Sequence, residues 1–442
     1  MAEHVLARAA DGEPALRIAY LTYRGKTTVG GQGVYTRHLT KALADLGHHV
    51  EVYGGQPYPN LDDRVPLHKL ASLDTYNEHF PARSPRFWEI HSVADALELG
   101  SFMTGNFPEP MAFSWRAYQA LQPRRAEFDL VHDNQTLGWG ILALQQAGWP
   151  VLETIHHPIS VDRRLELEHA RNLWQKVGKR RWYAFTKMQA AVAKRMTHVM
   201  TVSENSKVDI GADYGVPLER MTVVPVGVDP DMFKPVPGVA RVPDRILCTT
   251  SSDVPLKGLR YLLEAVAKLR AERPVEVVII GKPRAESRTP QLIEEYGLTD
   301  AVTFVSGVSD ERIVELYGEC ALAVVPSLYE GFSLPAVEAM SCGVPLLATT
   351  GGALPEVAGT HGETCFLVPP GDPDALAAMI RTVLDDPALA AKVGAAGRER
   401  VKSNWSWMHT AKRTVELYRQ VVADAATGRS KLPATKLLPG QA

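Results

Sequence analysis

The sequence predicts an α/β chain of two doubly wound, Rossmann-like domains, and three observations lead there. At 442 residues the chain exceeds what one core fills, because single cores stop growing at about 250–300 residues. A strand, loop, helix, strand pattern begins near residue 15 and begins again near residue 245. Between the two starts, residues 229–243 are rich in proline and glycine and read as a linker.

Taken in order, residues 15–23 form an apolar run that reads as a buried strand. After the glycine-rich stretch 26–33, the periodicity of residues 34–46 is helical and stops at Gly47, a residue suited to a helix C-terminus. Residues 49–53 are the next strand and complete a βαβ unit. Over about 57–125 the alternation fails and aromatics and prolines cluster, as in Phe87-Trp88 and Phe107-Pro108-Glu109-Pro110, which reads as an insertion on the first domain. The second unit runs strand 246–250, helix 257–269, strand 275–280. Strand 302–305, helix 309–320, strand 322–325, helix 333–341 and strand 345–348 continue it. Such parallel sheets are covered by helices and bind ligands beyond the carboxyl ends of their strands. The expected boundaries are an extension at 1–14, a first domain at 15–235, a second at 236–405, a helix at 406–424 and a disordered tail at 425–442.

Composition narrows the function. A hydrophobic content of 45%, 22% charged residues and a net charge of -2 describe a folded protein with no global attraction for nucleic acid. The four cysteines show neither CxxC spacing nor a neighbouring His pair, so neither a zinc site nor a disulfide framework is indicated. The first thirteen residues lack the apolar region of a signal peptide, and no run reaches the roughly 18 apolar residues that span a bilayer. A cytoplasmic protein is expected.

Two stretches carry chemistry. The loop 26–33, with Gly30, Gly31 and Gly33, joins a strand to a helix, so its amides can face an anion with the helix dipole behind them. It lacks the last glycine of the dinucleotide fingerprint GxGxxG, which argues against a dehydrogenase. The second stretch is Glu330-Gly331-Phe332-Ser333-Leu334-Pro335-Ala336-Val337-Glu338. Glu330 falls in the loop and Glu338 about two turns into the helix, so two carboxylates reach two regions of one elongated ligand. The amides of Gly331, Phe332, Ser333 and Leu334 would meet a phosphate at the helix start. The alternative is that both acids are merely solvated and Pro335 is a first-turn helix former.

With this E-x7-E element, the chain resembles glycosyltransferase family 4. The resemblance covers roughly residues 16–424 and includes Gly30-Gly31-Gln32-Gly33, Thr154-Ile155-His156, Val202-Ser203-Glu204, Val224 to Asp229, Pro255-Leu256-Lys257-Gly258, and Gly351-Gly352 with Pro355-Glu356. It implies a GT-B fold with an interdomain cleft, a C-terminal helix crossing back to the first domain, and a retaining, hexosyltransferase-type enzyme (EC 2.4). The donor, a nucleotide diphosphate sugar, would be held mostly by the second domain. The acceptor, a sugar, small molecule or lipid, would be held by the first, where the 57–125 insertion is either a packed cap or part of its site.

By the same resemblance, Glu330 contacts sugar hydroxyls at the reacting end, Glu338 binds the ribose hydroxyls, Lys257 neutralises the diphosphate, and His156 bonds the transferred sugar, with His157 as its rival. A fixed ammonium and helix-terminal amides stabilise a departing diphosphate without a metal, so no metal or cofactor is expected. Asp229-Pro230-Asp231 and Asp372-Pro373-Asp374 read as turn and cap residues rather than metal ligands.

The chain departs from the family at Ser251-Ser252-Asp253, where many relatives carry a phosphate-binding arginine. Arg260, Lys282 or Arg284, or the first-domain loop with Arg24 and Lys26, would replace it. The rival readings are a GT-B epimerase or phosphorylase, and a non-catalytic nucleotide-sugar-binding protein. Residues 172–196 contain no acid and seven cations interleaved with Trp174, Trp182, Tyr183 and Phe185. Wound as one helix, they place Trp174, Val177, Phe185, Met188, Val192 and Met196 on one side, either as a core face or as a peripheral anchor for an anionic membrane, such as the inner face of the plasma membrane.

Overall fold

The computed structural model describes residues 9–10, 12–25, 31–75, 83, 85–168, 170, 172–250, 254–282 and 288–428. The chain divides into two compact units, one of residues 1–202, 207–224 and 410–442, the other of residues 203–206 and 225–409.

The strands of the first unit are β1 (Arg17–Thr22), β2 (His49–Gly54), β3 (Leu67–Lys69), β4 (Leu130–Asn134), β5 (Val151–Ile155), β6 (Val199–Thr201) and β7 (Met221–Val223). They form one sheet in the order β3-β2-β1-β4-β5-β6-β7, with every pairing parallel. Its helices are α1 (Gly31–Asp45), α2 (Val93–Met103), α3 (Glu109–Leu121), α4 (Trp139–Gln146), α5 (Ile159–Glu168), α6 (Leu173–Trp182), α7 (Thr186–Ala193) and α8 (Glu204–Tyr214), whose first residues belong to the second unit. Strands β4 and β5 are buried at every position, as a sheet covered on both faces requires.

The second unit holds β8 (Val242–Thr249), β9 (Glu276–Ile280), β10 (Val302–Val305), β11 (Cys320–Val325), β12 (Leu346–Thr349) and β13 (Phe366–Val368) in the order β10-β9-β8-β11-β12-β13, again all parallel. Its helices are α9 (Leu259–Arg270), α10 (Arg288–Glu295), α11 (Asp310–Glu319), α12 (Leu334–Ser341), α13 (Leu354–Ala358), α14 (Pro373–Asp385) and α15 (Pro387–Asn404). The last helix, α16 (Trp407–Ala426), starts in the second unit and from Thr410 onward belongs to the first. There Tyr418 reaches His132 of β4, 2.6 Å from Oη to Nδ1, and Asp424 pairs with His198 at 3.0 Å. Two such parallel sheets joined by a returning C-terminal helix are the GT-B fold.

Two expectations change. Strand β3 lies inside the stretch read as an insertion and is an ordinary edge of the first sheet, paired parallel to β2. The basic stretch 172–196 is not one helix: α6 ends at Trp182, a 3-10 turn spans Tyr183–Phe185, and α7 follows. Past the break, Phe185, Val192 and Met196 are core residues, while Trp174 is 84% exposed. The face expected to be continuous is therefore half core and half surface. Among the described residues no helix is long and apolar enough to cross a membrane. Asp229 caps its own turn through Asp231 N and Met232 N, and Asp372 caps α14.

Asp133 and Glu153 stand opposite each other in the β4–β5 register, both without solvent exposure. Asp133 Oδ2 accepts the amides of Thr136 and Leu137, each at 3.0 Å. Burial, reinforced by the Asp133 charge, pushes the Glu153 carboxyl well above the usual range, and burial raises Asp133 as well. The folded protein therefore holds protons that an unfolded chain releases near pH 4. Stability present at acid pH is lost as pH rises, by up to about 1.4 kcal/mol per pH unit and per group. Glu153→Gln is expected to flatten this dependence, so that its unfolding temperature overtakes that of the parent between pH 5 and 8; parallel curves would show that Glu153 is ionised.

Candidate active site

The residues singled out from sequence fall in two clusters, one in each unit. In the second, the loop after β11 is clamped from both sides. Gly258 has φ +66°, and a Cβ there would lie 1.9 Å from Pro326 O. On the other side a Cβ on Gly352 would lie 2.3 Å from Glu330 O, and one on Gly351 would lie 2.5 Å from Leu328 O. Backbone bonds from Leu328 N to Leu256 O (2.7 Å) and from Ala353 N to Glu330 O (2.8 Å) close the clamp. These glycines let three loops touch backbone to backbone, which fixes where Glu330 stands.

Lys257, at the end of a 3-10 turn, meets the Glu330 carboxylate with Nζ 2.7 Å from Oε1, and Ser327 Oγ donates to the same oxygen at 2.7 Å. Glu330 is 8% exposed. Next in the chain, Ser333 caps α12 in a left-handed conformation, φ +89°, with its hydroxyl buried and without a hydrogen-bond partner among the described residues. A serine held there is a strained position of the kind found at ligand clamps. Gly331 O accepts the hydroxyls of Ser203 (2.7 Å) and Ser206 (3.1 Å), both from the segment of α8 and its cap that belongs to this unit. Phe332 packs edge-on against Trp405, ring centroids 5.7 Å apart. Leu334 is the first residue of α12, and four residues on Glu338 Oε2 accepts a bond from Tyr317 Oη at 3.3 Å. Burial raises the Glu338 carboxyl to about 7, against the opposing pull of the Tyr317 bond.

In the first unit, Gly31 and Gly33 lie in the opening turn of α1; residues 26–30 of the expected anion loop fall outside the described residues. His156 follows β5 directly. Asn134 Nδ2 donates to Thr36 Oγ1 at 3.1 Å and to Gln32 O at 3.4 Å, so its Oδ1 faces His156 Nε2 at 2.8 Å. Nε2 therefore carries the hydrogen and Nδ1 keeps its lone pair. Gln135, at φ +60°, accepts from His156 N at 2.8 Å and donates to His157 O at 2.9 Å, holding the loop like one more strand. Tyr35 of α1 packs edge-on to the imidazole at 4.7 Å. Burial, with a smaller effect of His157, lowers His156 to about 3, so it is neutral at physiological pH and equipped to hydrogen-bond rather than to give up a proton as an imidazolium. His157, the rival, is occupied by Asp162 at 2.8 Å.

The substitutes for the missing arginine separate. Arg24 forms an ion pair with buried Glu109, Nε to Oε2 2.6 Å, and Arg260 lies over its neighbour Tyr261, 4.3 Å from the ring centroid. Lys26, Arg284 and Ser251 to Asp253 fall outside the described residues. Asn134, Gln135 and Tyr317 were not found from sequence, because they act through partners 18 to 22 residues away or farther and follow no local motif.

Two models of known families match the sequence. Residues 29–232 match "Glycosyltransferase Family 4" and residues 236–400 match "Glycosyl transferases group 1". An MMP alpha-(1->4)-mannosyltransferase of Mycolicibacterium hassiacum is 48% identical over 412 residues, spanning 93% of this chain and 100% of that protein. The chain belongs to glycosyltransferase family 4. It is a glycosyltransferase, EC 2.4, with the E-x7-E element on α12 and its preceding loop. A D-inositol 3-phosphate glycosyltransferase of Thermobispora bispora is 28% identical over 421 residues, 90% of this chain and 91% of that one. Among solved structures, the sucrose-phosphate synthase of Thermosynechococcus elongatus superposes with a TM-score of 0.72 at 25% identity, covering 92% of this chain and 99% of that chain. The Anabaena HepE complex with UDP and glucose shares the fold at 21% identity and TM-score 0.68, covering 91% and 98%.

Proposed function

We propose that this glycosyltransferase transfers mannose from a nucleotide diphosphate donor to a methylmannose polysaccharide, forming an α-(1→4) bond with retention and without a metal. The observation that carries this reading is the 48% identity to the M. hassiacum mannosyltransferase over that protein's whole length. Lys257 and the amides at the start of α12 would hold the diphosphate, Glu338 the ribose hydroxyls, and Glu330 and neutral His156 the hydroxyls of the transferred sugar. In the reaction the C1–O bond to the β-phosphate breaks while the acceptor hydroxyl oxygen bonds C1 from the same face. The acceptor proton passes to the leaving phosphate oxygen, whose growing charge Lys257 and the helix amides stabilise.

The test incubates the protein in EDTA with UDP-, GDP- or ADP-mannose and short α-(1→4)-mannosides, following released nucleotide diphosphate and the anomeric configuration of the product by NMR. Acceptor-dependent release with one donor and an α-linked product is expected. Transfer to inositol phosphate in place of mannosides, or dependence on a divalent metal, would overturn the reading.

A pH dependence follows from Glu338. Ribose hydroxyls donate to a carboxylate, so donor binding needs Glu338 ionised, and with the group near 7 the donor KM is expected to rise up to tenfold per unit below pH 7. Tyr317→Phe removes a bond that favours the ionised form, so this acid limb moves to higher pH while kcat above the limb is retained. An unshifted limb would separate Tyr317 from Glu338.

A further inference from the structure

Helix α2 is built with its charges inward. Glu98 is fully buried, accepting Arg116 Nη2 at 2.6 Å and Leu73 N at 3.1 Å, and Asp95 meets the same guanidinium at 2.5 Å. Its exposed positions are Val93, Ala96, Leu97, Gly100 and Met103, none with a polar side chain. Val93 is 72% and Met103 76% exposed. A soluble helix ordinarily shows the opposite arrangement. Just before it, Phe87 and Trp88 are exposed, their rings 4.9 Å apart. Helix α6 buries no residue and exposes Leu173 and Trp174.

The two helices meet at their C-terminal ends, where Arg181 Nε donates to Thr104 O at 2.8 Å. Trp182, the last residue of α6, stacks on Phe107 at 5.2 Å, and Phe107 lies under the Arg24 guanidinium at 5.4 Å. Arg24 follows β1, at the same carboxyl edge of the sheet where β5 delivers His156. Contacts thus run from this face inward, through Trp182 and buried Phe107, to Arg24.

We propose that α2, α6 and the Phe87-Trp88 turn form a remote acceptor subsite that seats the body of a methylated mannose chain while its end is extended at the carboxyl edge. This rests on the acceptor reading above. Flat aromatic rings accept the C–H faces of sugars, and each methyl group on a hydroxyl replaces a donor with an apolar surface that suits Val93, Leu97 and Met103. The polymer is uncharged, and so is the exposed face of α2. An anionic surface would call on α6, where Lys179 is paired with Glu166 and Arg181 is turned onto Thr104 while Lys176 and Arg180 stay exposed; none of these cations lies on the exposed face of α2.

The test compares the full-length protein with Trp174→Ala and with Val93→Ser/Leu97→Ser on three acceptors: a short α-(1→4)-mannoside, a long unmethylated chain and a long methylated one. In both variants kcat/KM for the long methylated chain is expected to fall about tenfold through KM, with the short acceptor and the unfolding temperature unchanged. Retention of long-chain kcat/KM in both variants, or no preference of the parent for the methylated chain, would overturn the proposal. Equilibrium binding of the methylated chain, measured without donor, separates the two readings. Binding that is lost in the variants, in a parent that transfers to no mannoside, would sink the acceptor reaction and leave the surface standing; neither binding nor transfer would sink both. Variants that lose only binding to anionic vesicles, or only self-association in sedimentation, would assign the face to a lipid or to a second copy and overturn the proposal.

Discussion

Glu330→Gln is expected to lower glycosyl transfer by roughly 10²–10³-fold, the loss typical when one preorganised electrostatic group is removed from a reacting centre. The substitution keeps the shape and leaves an amide oxygen to accept from Ser327 Oγ, now 2.7 Å from the carboxylate. It removes the charge that faces Lys257 Nζ at 2.7 Å. Lys257 keeps 31% of its side chain exposed and can be solvated once the opposing charge is gone, so the variant is expected to unfold within a few degrees of the parent. Activity within tenfold of the parent, measured as product formed with saturating donor, would remove Glu330 from the reacting centre. A variant that fails to fold is distinguished by circular dichroism, and Glu330→Asp then asks the same question with charge retained and reach shortened.

Gly258→Ala is expected to destabilise the second unit by about 3 kcal/mol or more and to abolish activity. Two effects combine. The left-handed backbone, φ +66°, costs an alanine roughly 1–2 kcal/mol. The new Cβ would also lie 1.9 Å from Pro326 O, so the loop that carries Glu330 must move. For a domain of this size the shift in unfolding temperature is about 6–12 °C. Gly362→Ala isolates the first effect, since Gly362 has φ +78° with nothing near its Cβ position. It is expected to cost about 1–2 kcal/mol and to spare activity. Equal effects of the two substitutions would mean that the Gly258 loop gives way and the clamp does not position Glu330.

Much of the fold was legible because its information is local. Strands such as Val302–Val305 begin and end where the apolar run does, and the parallel sheet follows from strands alternating with helices. The arrangement of the E-x7-E cluster was legible for a related reason: Glu330, the amides after it and Glu338 sit on one loop and one short helix, so spacing alone sets their geometry. The role of Gly351-Gly352 was hidden in the same motif, because a glycine pair reports its purpose only once the opposing backbone is in place.

The stretch 172–196 shows the limit. Its periodicity suits one amphipathic helix, but Phe185, Val192 and Met196 are drawn into the first core and Trp174 is not, and the helix breaks between them. Periodicity measures which residues share a face, not what that face meets.

By itself, then, the sequence determined two parallel α/β sheets, the family and the E-x7-E cluster, all written in short-range pattern and spacing. Only the tertiary structure decided the tautomer of His156, the bond from Tyr317 to Glu338, the raised carboxyls of buried Asp133 and Glu153, and the outward apolar face of α2. Each of these depends on groups brought together from separate elements, where hydrogen-bond direction and burial are properties of the packed chain and have no local signature.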